Sequence, residues 1–127
     1  MATSFAQSGY ENSTKSINSD SGMEYQVFAR VTRDLSSIRI GAPDYHAKMA
    51  AALNRNMKLW SILAVEVANE NNELPPQLRS NLFHLAEFTR HHTSKVYAGE
   101  AELKILIEVN TMIMRGLRTQ PSTENAD

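Results

Sequence analysis

Apolar residues recur every three to four positions along this chain, in four runs separated by sharp breaks. That period puts them on one side of a helix, whereas a half-buried strand would alternate. Val27, Phe28, Val31, Leu35 and Ile38 form the first run, behind Ser21-Gly-Met-Glu24, a pattern in which serine and glutamate satisfy each other's exposed amides. Gly41-Ala-Pro43 closes that helix and opens the next, proline being suited to a first turn. Tyr45, Met49, Leu53, Met57, Trp60, Ala64 and Val67 then share one helical face. The run Asn69 to Pro76, with three asparagines and two prolines, is the clearest break. Beyond it Leu78, Leu82, Leu85, Thr89, His92 and Val96 line up until Gly99. Leu103, Leu106, Val109, Ile113 and Leu117 make the last run. Within it Leu103, Ile105, Ile107 and Val109 also alternate as strand residues would, but length favours a helix, as do Glu100 and Glu102 at its start and Arg115 and Arg118 at its end.

The expected fold is therefore all-α: a small antiparallel bundle of four helices, over about 21–38, 43–69, 75–98 and 100–118, in one domain spanning 21–118. Leu53, Trp60, Leu82, Leu106 and Ile113 are its expected core. Residues 1–20, rich in serine and asparagine, read as a flexible arm, and 119–127 as a disordered tail.

Composition narrows the chemistry. The chain has no cysteine, which excludes disulfides, thiolate metal sites and cysteine nucleophiles. Thirteen basic against fourteen acidic side chains argue against a protein built to grip nucleic-acid phosphates. Neither a leader of signal-peptide pattern nor an apolar run of spanning length is visible, so the expected location is the cytoplasm, without membrane contact.

Few constellations suggest catalysis. His84, Glu87 and His91 have the spacing of metal ligands on one helical face, but the two histidines lie about 10 Å apart along the axis at about 1.5 Å per residue. A solvated polar face explains them as well, and no metal or cofactor is expected. His92-Thr-Ser-Lys95 has the spacing of histidine phosphotransfer bundles, in which an exposed imidazole accepts the phosphoryl group. Against this, His92 turns toward the apolar side and Val96 stands where those bundles place glycine; a boundary histidine with a satisfied ring nitrogen is the simpler reading. No phosphate loop, nucleophile elbow or HExxH pattern occurs, so the chain reads as non-enzymatic. Asn56 and Asn110 project toward apolar faces: either they pair and fix helix register, or they sit at the stripe's edge in water.

Leu59, Ile62 and Val65 fall away from the main face of the second helix, and Phe83 and Phe88 flank that of the third. Either the second helix is central and covered on both sides, or these five residues form a partner-binding surface. The latter is the expected interaction site.

The run from Asn54-Arg55 through Leu59-Trp60, then Asn72-Glu-Leu-Pro75, Leu78-Arg79 and Met114-Arg-Gly-Leu117, resembles the FlaF family of flagellar biosynthesis regulators of alphaproteobacteria. Met23 to Arg33 looks like the family's first helix, and Tyr10 with the polar arm fits its usual start. The resemblance covers about residues 10–118. It implies a role in flagellin synthesis and secretion, through binding of flagellin itself, as a secretion chaperone would, or of FlbT, a regulator associated with flagellin messenger RNA. Capture of flagellin's polymerisation-prone amphipathic ends is the mechanism it suggests, with any contact to RNA left to the partner. Trp60 would support the core rather than touch the partner.

Overall fold

A computed structural model describes residues 25–126, with side chains described to Arg118. The expected arm 1–20 and the Ser21–Glu24 cap lie outside the described residues. Four helices account for the fold: α1 Tyr25–Ser36, α2 Tyr45–Ala68, α3 Pro76–Tyr97 and α4 Lys104–Ala126, with no strand among the described residues. The alternating pattern in the last run thus resolves as helix. α3 runs along α2, and α1 packs against both α2 and α4, while the contact between α3 and α4 is the slightest of those between neighbouring helices. The Arg118 guanidinium lies over the Tyr25 ring, tying the last helix to the start of the first.

The breaks are built by identifiable bonds. At the end of α3, Gly99 takes φ +77, its amide bonds the Val96 carbonyl, and the Glu100 amide bonds the Lys95 carbonyl at 2.8 Å. This double closure reverses the chain after a helix and needs glycine at the left-handed position. It keeps Glu100 and Glu102 in a turn, so α4 begins at Lys104 rather than at residue 100. Gly41, with φ +94, lies instead in a tight turn between α1 and α2 that the Ala42 amide closes on the Arg39 carbonyl, and α2 starts at Tyr45, two residues past Pro43. Beyond residue 118 the structure departs from the expected tail: α4 continues through Pro121 to Ala126. Proline withholds its own amide and crowds the carbonyl four residues back, while the residues beyond it keep carbonyls one turn back to bond.

The break between α2 and α3 explains its asparagines. Asn69 Oδ1 accepts the Asn71 amide at 2.8 Å and Asn72 Oδ1 accepts the Leu74 amide at 2.9 Å. Asn72 Nδ2 donates back to the Glu66 carbonyl in the last turn of α2. Arg79 donates to the carbonyls of Asn69 and Asn72, so the first turn of α3 clasps the loop. Leu74 packs against the core, and Pro76 begins α3, where a missing amide costs nothing.

Two apolar cores fill the bundle. The larger is centred on Trp60 and Phe28, whose rings meet edge to face at 5.8 Å, with Leu63, Val67, Leu82 and Leu117 around them. The smaller, at the Gly41 and Gly99 end, contains Leu35, Leu53, Val96 and Leu106. On the first three helices a buried polar residue falls between the positions given to the two cores, Thr32 on α1, Asn56 on α2, Thr89 and Thr93 on α3, and on α4 the buried Asn110 directly follows Val109, where the larger core begins. These residues make a polar layer across the bundle. Trp60 Nε1 donates to Asn110 Oδ1 at 2.9 Å, and Asn110 Nδ2 donates to Asn56 Oδ1 at 2.8 Å. The two asparagines are therefore paired and dry, not at a wet edge.

Candidate interaction surface

Of the expected core, Leu53, Trp60, Leu82 and Leu106 are buried, and Ile113 is half-buried against the larger core. The expected partner surface divides. Leu59 is a correction: only 7% of it is exposed, and it belongs to the larger core. The buried face of α2 carries Ala52, Asn56, Leu59, Leu63 and Val67, about 40° around the helix from the face drawn through Met57 and Ala64, which are half-buried at its margin. Asn56, left open between the stripe's interior and its edge, carries the phase, because once it lies fully inside the stripe Leu59 shares that stripe with it.

Ile62 and Val65 are exposed, at 56% and 73%, and stand on the solvent side of α2. Phe83 and Phe88 are also exposed, but they do not join one patch. Five residues apart, they diverge by about 140° around α3, one on each flank of its buried stripe of Leu82, Ala86 and Thr89. The Phe83 ring meets His84, while Phe88 stacks on His92 at 5.4 Å. His92 in turn holds the Glu102 carbonyl at 2.8 Å through Nε2, joining α3 to the turn before α4. Glu87 is ion-paired with Arg90 at 2.7 Å, and no group of three metal-ligating residues comes together among the described residues.

A different surface is concave and largely apolar. Between the α1–α2 turn and the α3–α4 turn opens a groove of about 560 Å³. Leu35, Ile38, Met49, Val96, Leu103 and Ile107 line it, with Tyr45 and Ile40 beside them. Ile40 is 86% exposed, the most exposed large apolar side chain among the described residues, held up by the turn that Gly41 completes. Ser36, Glu102 and Lys104 supply its polar groups. The lining comes from these two inter-helix turns and all four helices, so no single helical wheel reveals it. The available signal was Ile38-Arg-Ile40 itself, two isoleucines at and beyond a helix end where polar residues normally close a turn.

The model of the flagellar protein FlaF family matches residues 6–117. This chain belongs to the FlaF family. The match takes in all the described residues up to the end of the bundle core, Leu117 included, and it is therefore a flagellar protein by family. No curated protein and no solved structure matches it. The segments that carry the FlaF resemblance have structural work in this chain: Trp60 anchors the larger core, Asn72 to Pro75 and Arg79 build the α2–α3 turn, and Leu117 closes the base of the core. No helix among the described residues is long and apolar enough to cross a membrane.

Proposed function

We propose that this FlaF-family chain is a non-enzymatic, cytoplasmic regulator of flagellum assembly. It promotes flagellin synthesis and secretion by holding an amphipathic segment of flagellin, or its co-regulator FlbT, in the apolar groove. The observation that carries this reading is the open aliphatic groove with Ile40 standing beside it almost fully in water. Exposed apolar surface of this kind is unfavourable unless something covers it, and a groove between helix ends suits the ridge of a partner helix. Covering a polymerisation-prone segment would keep it soluble and competent for export. Ile62 and Val65 form a second, convex apolar face, the position expected for the partner from periodicity alone.

The phosphotransfer alternative has less support. One nitrogen of the His92 ring is occupied by the Glu102 carbonyl and a face of the ring by Phe88, so this imidazole is a clamp between helices rather than an open acceptor. Calorimetric titration of the purified chain with flagellin and with FlbT tests the proposal. Saturable binding to at least one is expected. Absence of binding to both, or an acid-labile phosphate acquired on His91 or His92 from a partner kinase, would overturn it.

A further inference from the structure

The polar layer contains three buried side-chain groups with no protein partner, the Thr32 hydroxyl on α1, Asn56 Nδ2 on α2 and the Thr89 hydroxyl on α3, and the last two belong to completely buried residues on the neighbouring helices α2 and α3. The Tyr97 hydroxyl donates to the Ala50 carbonyl and so marks the register of α3 on its neighbour α2. Stepping eight residues back along α3 from Tyr97 and six residues on along α2 from Ala50 brings Thr89 and Asn56 to within about 3 Å of one level, at about 1.5 Å per residue. Their other atoms are already committed. Asn56 Oδ1 accepts from Asn110, and the Thr89 carbonyl accepts the Thr93 hydroxyl at 2.7 Å.

We propose that this layer is an internal hydration site, in which one water molecule bonds both Asn56 Nδ2 and Thr89 Oγ1. The chemistry selects water. An amide nitrogen only donates, which rules out a cation, and among the described residues no charged side chain is buried beside it to hold an anion. Water accepts from the amide and exchanges a bond with the hydroxyl, and buried waters typically satisfy two to four such groups. The chain of bonds then runs from Trp60 through Asn110 and Asn56 to the water and Thr89, joining α2, α4 and α3, of which α3 and α4 are only slightly packed on each other.

Rotating-frame water–protein cross-relaxation in the full chain tests this. The Asn56 side-chain amide protons are expected to show a long-lived water cross-peak that exposed Asn81 lacks. Thr89→Val should lose that cross-peak with circular dichroism unchanged, and Thr89→Ser, which restores the hydroxyl, should recover it. An Asn56 amide without a long-lived water contact would overturn the proposal, as would a cross-peak unaltered in Thr89→Val. Should Thr89→Val fail to fold, a high-resolution crystal structure of the native chain decides: density within hydrogen-bond distance of both atoms supports the site, and direct pairing of either with protein overturns it.

Discussion

Asn110 is the residue on which the polar layer depends most. Its oxygen takes the Trp60 indole proton and its nitrogen serves Asn56, and none of the three side chains reaches solvent. Asn110→Ala removes both bonds and strands a buried donor and a buried acceptor, each at about 1–3 kcal/mol. A stability loss of about 3 kcal/mol in urea unfolding is expected, and a loss below about 1 kcal/mol would mean that water reaches the pair. At this scale the sequence is legible only in part. Two asparagines in apolar stripes are visible, but whether they pair depends on the rotational phase of two helices, which 3.6-residue periodicity leaves loose by a fraction of a turn. The same looseness misplaced Leu59.

The helices themselves were legible because apolar period and punctuation agree: Gly41, the Asn69–Pro76 run and Gly99 all fall between elements. Their ends were less so. The start of α4 is set by backbone bonds to Lys95 and Val96 after a left-handed glycine, and no side chain announces them. The glycines make opposite predictions. Gly99→Ala forces a side chain into φ +77 with nothing nearby to compensate, so a loss of about 1–2 kcal/mol is expected. Gly116 lies inside α4, and an added methyl would meet nothing within 4 Å, so Gly116→Ala should gain about 0.5–1 kcal/mol. Thermal unfolding of the two variants checks both signs; a shared sign would contradict the assigned backbone geometry.

Across the whole molecule, near-neutrality conceals an uneven distribution. The four helices carry eleven Lys and Arg against five Asp and Glu, and the turns and terminal segments carry the balancing acids. Total charge could not reveal this, just as periodicity could not reveal a groove assembled from two of the three inter-helix turns. A basic helical body favours an acidic partner, so affinity for flagellin or FlbT should fall several-fold between about 50 and 500 mM salt, while the apolar contribution persists. An affinity that rises with salt would assign the contact to apolar surface alone.

The groove is the centre of the account, and titration of Ile40→Asp against flagellin and FlbT probes it most directly. Ile40 lies almost wholly in solvent, so the substitution leaves the cores untouched, and circular dichroism and melting should match the native chain. The predicted result is binding weakened at least tenfold by Ile40→Asp and unchanged by Ile62→Asp on the convex face of α2. Native affinity in Ile40→Asp, with binding lost in Ile62→Asp, would contradict it and move the partner to α2.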